Sequence, residues 1–267
     1  NVSFKYPGSD AWALKNVSFK VERGQLCVIL GANGSGKSTA LKLISRIYDP
    51  TEGQIFIDGR EIRQLKLDDL RRAISVLFQD YTLFPLSIKD NIAIGDPEAL
   101  AALTGAQEKG ETAHDIEERI REAARLGGAD GFLEKLPEGY DTYLDPPVRD
   151  HYAGLPEGTK ALGGQVQRIA LSRTFMRSNT AEPRVGLLLF DEPSASLDPV
   201  AEHDLFERLR ALRGNKTMIF SSHRFGNLTR HADVILYMND SVVVESGTHD
   251  ELLRKEGDYA RIWNLQA

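Results

Sequence analysis

The sequence predicts an α/β fold with a mostly parallel sheet, an antiparallel β edge and an inserted α-helical subdomain. Three observations carry this. Short β-branched runs alternate with amphipathic stretches near both ends of the chain, the pattern of strand, crossover helix, strand units. The first buried-type run, Gln25 to Leu30, leads directly into a glycine-rich loop and a helix. From about residue 83 to 182 the strand pattern gives way to helix, and it resumes at Gly186.

Taken in order, Val2 to Tyr6 and Val17 to Val21 flank a Pro7-Gly8-Ser9-Asp10 turn and read as an antiparallel pair. After strand 25–30, an amphipathic helix is expected from Lys37 to about Ile47. Strand Gln54 to Asp58, a short helix near Leu67 to Arg72 and strand Ile74 to Phe78 follow. In the helical middle the clearest element is Asp115 to Leu126, with Ile116, Ile120, Ala123 and Ala124 on one face. Ala99 to Ala113 lacks periodicity and reads as a surface insertion. Strand Gly186 to Phe190, a helix from Val200 to Leu212, strands Thr217 to Ser221, Val234 to Tyr237 and Val242 to Ser246, and two terminal helices complete the chain. One domain over residues 1–267 is expected, with a core of about 1–82 and 183–267 and a helical subdomain of about 83–182.

Composition narrows the function classes. The 267 residues make fewer than two domains at about 150 residues each, and 41% apolar with 27% charged residues is ordinary for a globular chain, which excludes disorder as the main character. Thirty-three basic against 39 acidic residues give a net charge of −6 without a long Lys/Arg run, which speaks against nucleic acid as the main partner. The single cysteine, Cys27, lies in an apolar run and reads as core packing in a reduced compartment. Apolar runs such as Leu187 to Phe190 fall far short of the roughly 20 residues that span a bilayer. The chain opens on Asn1 inside a strand pattern, as expected of a piece cut from a longer protein.

Gly31-Ala32-Asn33-Gly34-Ser35-Gly36-Lys37-Ser38 fits G-x-x-x-x-G-K-[ST] between a buried strand and a helix, the context that pattern requires. The glycines let successive amides turn inward, and the helix start adds its positive end, so the loop suits a polyphosphate. Lys37 would reach the β and γ phosphates, and Ser38 would ligate Mg²⁺. This is the core of a P-loop NTPase, which by itself leaves small-molecule kinases, GTPases, helicases and transporter motors open. Downstream, strand 186–190 ends in Asp191-Glu192, at the carboxyl edge where open α/β sheets bind ligands. Asp191 suits Mg²⁺, and Glu192 suits polarising a water, which points to hydrolysis.

Together these residues resemble the nucleotide-binding domain of ABC transporters, over the whole chain from about Val2. The resemblance implies ATP and Mg²⁺ as ligands. It assigns Tyr6, in Phe4-Lys5-Tyr6, to adenine stacking, and Gly31, Asn33, Gly34, Ser35, Gly36, Lys37, Ser38 and Thr39 to the phosphates. Gln79 matches the glutamine that links Mg²⁺ and water to the helical subdomain. Ser38, Gln79 and Asp191 are then the metal residues, and Glu192, His223 and Gln79 the catalytic ones, His223 standing in Ser221-Ser222-His223. Asp198, in Ser196-Leu197-Asp198, resembles the aspartate that crosses a dimer interface. Thr82 to Ile92, Phe132 to Thr142 and Gly247 to Leu252 look like exporter domains fused to their membrane spans. The implied partners are a second such domain, identical or different, and a transmembrane domain of the same or another polypeptide, upstream of Asn1. The implied place is the cytosol-facing side of a membrane, or its organelle equivalent, reached only through that transmembrane domain, with this segment itself soluble and no nucleic acid involved.

One position departs from the pattern. The family signature L-S-G-G-Q stands here as Ala161-Leu162-Gly163-Gly164-Gln165, with leucine in place of serine. The resemblance implies that the serine hydroxyl donates to the γ phosphate held by the opposite subunit. A hydrogen bond to a charged group is worth about 1.5–3 kcal/mol, so its loss is expected to weaken closure about ten- to a hundredfold. The stretch from Asp145 to Gly158 also departs from the usual exporter sequence. Two readings from other classes stay open: a mechanical clamp acting on DNA or ribosomes, and an ATP-binding regulatory module with little turnover.

Overall fold

The computed structural model describes residues 1–80, 82–105, 112–144, 162–178, 185–194, 197 and 199–266. The chain divides into two compact units, one of Asn1–Gln79, Val185–Pro193 and Leu209–Ala267, the other of Asp80–Arg184 and Ser194–Arg208. The segment Ser194–Arg208, placed with the core on sequence grounds, therefore groups with the helical unit.

In the first unit β1 (Val2–Phe4) pairs antiparallel with β2 (Leu14–Val17), in the register Val2↔Val17 and Phe4↔Leu14. The second strand starts three residues earlier than its pattern suggested, because Leu14 and Val17 are the buried positions while Phe19 is exposed. β3 (Leu26–Gly31) is buried along its whole length, as a continuous apolar run flanked by parallel neighbours must be. Cys27 is fully buried, and that burial pushes its thiol up to about 12. α1 (Lys37–Ile44) stops short of Ile47: Ser45 turns its hydroxyl back to the Leu41 carbonyl, and Arg46 adopts φ 52°. The expected strand 54–58 is a tight hairpin of β4 (Phe56–Ile57) and β5 (Arg60–Glu61). α2 (Leu67–Ala73) and β6 (Ile74–Leu77) follow.

The helical unit holds α3 (Ile88–Ala93), α4 (Pro97–Leu103), α5 (Ala113–Gly127), α6 (Asp130–Leu133) and α7 (Leu162–Ser178). The stretch read as a surface insertion thus begins as a helix. Asp96 caps it through the Glu98 and Ala99 amides, and Pro97 sits in its first turn. Only Ala99 of α4 is buried, so the helix carries little apolar periodicity. α5 opens with a reciprocal capping box between Thr112 and Asp115 and buries Ile116, Ile120, Ala123 and Ala124 as expected.

The remaining elements are β7 (Leu187–Asp191), α8 (Pro199–Arg213), β8 (Thr217–Ser222), α9 (Asn227–Arg230), β9 (Val234–Asn239), β10 (Val242–Gly247), α10 (His249–Arg254) and α11 (Asp258–Gln266). The main sheet has the order β10-β9-β3-β8-β7-β6, parallel except for β10. A mixed α/β fold with a mostly parallel sheet is therefore present, with the antiparallel pair β1–β2 forming a two-stranded sheet of its own and β10 the antiparallel strand of the main sheet. Its register places Leu30 beside Ser222, and Asp191 beside Ser221. The carboxyl ends of β3, β7 and β8 thus deliver their polar residues to one place.

Candidate nucleotide site

The loop after β3 is shaped by its glycines. Gly36 has φ 103°, and a Cβ there would come within 2.7 Å of the Ala13 carbonyl oxygen, so the close approach of the β1–β2 connection excludes any side chain. Gly31, at φ 158°, lies against the Met238 backbone and Ser35 Oγ. Asn33 and Gly34 are exposed, whereas Ser35, Lys37 and Thr39 are buried. The Ser35 hydroxyl is buried without a hydrogen-bond partner, a cost normally met only where a ligand or water supplies one.

Lys37 leaves the first turn of α1 with its side chain folded back over the loop. Its Nζ donates to the Gly31 carbonyl at 2.8 Å and the Ala32 carbonyl at 3.0 Å, and lies 3.8 Å from Glu192 Oε1. Burial pushes the ammonium below its ordinary value, while the charges of Glu192 and Asp191 pull the other way. Next to it, Ser38 Oγ donates to Asp191 Oδ1 at 2.9 Å. A hydroxyl and a carboxylate so close form a hard-oxygen pair of the kind Mg²⁺ uses, the ion's remaining ligands coming from water and substrate phosphates. Among the described residues no cluster of three or more His, Cys, Asp or Glu is placed to hold a metal ion.

Glu192 follows β7 in a left-handed backbone conformation, φ 50°. Its side chain meets His223 from the end of β8, Nδ1 to Oε2 at 3.0 Å. A carboxylate only accepts, so that proton is assigned to Nδ1. Beneath the pair sits Ser221, fully buried. Its hydroxyl donates to Asp191 Oδ1 and accepts from the Glu192 amide at 3.1 Å, and the same amide reaches the Ser221 carbonyl at 3.2 Å. Sequence reasoning saw Ser221 only as part of the histidine motif. No local signal marks it, because only the β7–β8 register sets it beside Asp191.

The other expected residues fall as follows. Tyr6 is half-buried, its ring edge-on to Phe4 (5.0 Å, 77°) and Tyr48 (5.4 Å, 87°), with its hydroxyl 3.0 Å from Thr39 Oγ1. That bond ties the aromatic residue to the phosphate-loop helix. Gln79 is exposed two residues beyond β6, whose neighbour is β7. Leu162, Gly163, Gly164 and Gln165 form the first turn of α7, and Asp198 lies outside the described residues.

Comparison with known proteins agrees with this geometry. The family model described as ABC transporter matches residues 14–195. The chain is 36% identical, over its full length, to "Putative multidrug export ATP-binding/permease protein YgaD" of Bacillus subtilis, of which it covers 40%. It is 34% identical to a protein of the same description in Staphylococcus aureus (strain NCTC 8325 / PS 47), with the same coverage. The chain thus spans less than half the length of these relatives. A solved structure described as a bacterial Atm1-family ABC exporter with ATP bound superposes with a TM-score of 0.81 at 34% identity, covering all of this chain and 41% of the other. No described helix is long and apolar enough to cross a membrane. A parallel sheet that brings a phosphate loop, two strand-end carboxylates and a histidine together, in a chain matched from end to end by such relatives, is explained by descent: this chain belongs to the ABC transporter family, as one of its ATP-binding domains, a family of ATPases.

Proposed function

We propose that this domain binds Mg·ATP, hydrolyses its γ phosphate and so drives export through a transmembrane domain. The observation that carries the reading is the convergence of Lys37, Ser38, Asp191, Glu192 and His223 within one hydrogen-bonded and ion-paired network. The loop amides from Gly34 to Ser38 and the Lys37 ammonium hold the phosphates, and the buried Ser35 hydroxyl gains a partner from them. Ser38 and Asp191 hold Mg²⁺, with Gln79 on the adjoining strand end. When bound, Mg²⁺ neutralises charge that builds on the phosphates during transfer. Glu192 orients the attacking water and accepts its proton, while His223 keeps the carboxylate turned through Nδ1–H and, with both ring nitrogens protonated, donates from Nε2 to the γ phosphate. Tyr6 offers a ring to the adenine, a contact tolerant of the base's hydrogen-bond pattern.

Two such domains closing on two nucleotides form the working unit, each ATP lying between one chain's phosphate loop and the other's signature turn, with Asp198 at the shared face. Leu162 weakens the nucleotide held by the partner rather than the one held by Lys37. A partner with an intact signature then leaves one strong and one weak site, whereas two identical chains share the defect. The leucine also favours a second reading, an ATP-binding module with little turnover.

Steady-state phosphate release with Mg·ATP across a wide range of protein concentration tests this, with Glu192→Gln as the blank. A rate per chain that rises with concentration and vanishes in the blank is expected. ATP binding with a flat baseline at every concentration favours the second reading, and no ATP binding at all defeats both.

A further inference from the structure

We propose that Ser221 is a positioning residue for ATP hydrolysis: one buried hydroxyl sets the side chain of Asp191 and the backbone of Glu192 together. This rests on the reading of Asp191 and Glu192 as the metal and water-activating carboxylates. The parallel register sets Ser221 beside Asp191, so both side chains point to the same face of the sheet. The hydroxyl uses both of its capacities there, donating to Asp191 Oδ1 and accepting the Glu192 amide. Asp191 Oδ1 also receives the Ser38 hydroxyl at 2.9 Å, so two hydroxyls fix the direction in which the carboxylate presents its free oxygen.

Ser221 also holds the backbone of Glu192. A non-glycine residue at φ 50° is disfavoured and persists only where its surroundings over-determine it. Here the constraint is visible, because the Glu192 amide is gripped by both the carbonyl and the hydroxyl oxygen of Ser221. The grip turns the Glu192 side chain towards Lys37 at 3.8 Å and His223 at 3.0 Å. Removing the hydroxyl leaves no group orphaned, since Asp191 keeps Ser38 and the Glu192 amide keeps the Ser221 carbonyl. The fold therefore survives the change while the aim of both carboxylates loosens.

The test compares Ser221→Ala, Ser221→Val and Ser221→Thr, the last two equal in shape and differing only in the hydroxyl. Ser221→Ala and Ser221→Val are expected to lower kcat about tenfold, the usual cost of losing a group that orients a metal ligand, with KM for ATP nearly unchanged, and Ser221→Thr to retain the parent rate. In the Glu192→Gln background, where turnover does not interfere, Ser221→Ala is expected to raise the Mg²⁺ concentration needed for ATP binding about tenfold while leaving metal-free ATP binding and the melting temperature as they were. Ser221→Thr losing as much as Ser221→Val, or Ser221→Ala keeping kcat and Mg²⁺ dependence within about twofold, overturns the proposal alone. Glu192→Gln releasing phosphate as fast as the parent overturns the proposal and the reading beneath it together.

Discussion

At the scale of single residues, the site works by giving each buried polar group more than one task. Lys37 satisfies two loop carbonyls while standing beside Glu192, so the cation that the proposed function assigns to the phosphates is already desolvated and held. A charge removed from water acts over its neighbours with little screening, which is why Lys37→Ala is expected to abolish measurable ATP binding rather than reduce it modestly. Equilibrium titration with a fluorescent ATP analogue checks this. Cys27 shows the opposite case, a nucleophile with nothing to do. Fully buried on β3, with its thiol pushed up to about 12, it has almost no thiolate at neutral pH. Maleimide is expected to leave the native protein unlabelled and to label Cys27 completely once guanidinium unfolds the chain. Mass spectrometry reads both states.

Among the elements, the helical unit relies on one polar junction as much as on its apolar faces. Asn91, fully buried on α3, accepts the Phe84 amide at 2.8 Å and donates to the carbonyls of Phe84, Leu86 and Ser87. Arg173 on α7 closes the junction, donating to the Asn91 carbonyl and side chain and to the Thr82 carbonyl. Burial pushes that guanidinium below its ordinary value, and its ring contact with Phe84, 5.1 Å, covers one face. The loop from Thr82 to Ser87 thus has backbone partners on two helices in addition to its bridge to Tyr143 and Leu144. Asn91→Leu keeps the volume but strips these partners away, and is expected to cost more than about 3 kcal/mol. Urea unfolding followed by circular dichroism measures the loss.

For the molecule as a whole, the proposed function requires a second copy of the fold. The site on the first unit supplies the phosphate loop, carboxylates and histidine, and the signature turn heads α7 in the other unit. Restoring the hydroxyl by Leu162→Ser is expected to raise phosphate release per chain about tenfold, the worth of one hydrogen bond to a charged group, if two identical chains form the working pair. Equal rates for parent and variant at every protein concentration would mean that leucine at this position imposes no defect.

Much of this was legible in residue order. The phosphate loop, the strand-end carboxylates and the histidine are short-range patterns, and the parallel sheet follows from alternation of apolar runs with helices, since each strand's burial demands a helix on its faces. Local chemistry also determined α5 through its capping box and apolar face. What tertiary structure decided were matters of long-range pairing. β2 began at Leu14 because the register with β1 selects which residues face the core. α4 formed where apolar periodicity is weak, because Asp96 caps it and Arg119 on α5 anchors that cap at 2.7 Å. Ser221 acquired its place only through the register of β7 and β8, which sets it beside Asp191 from 30 residues away. Local patterns record what a segment does by itself, whereas a buried hydroxyl takes its meaning from the partners that only the folded sheet brings within reach.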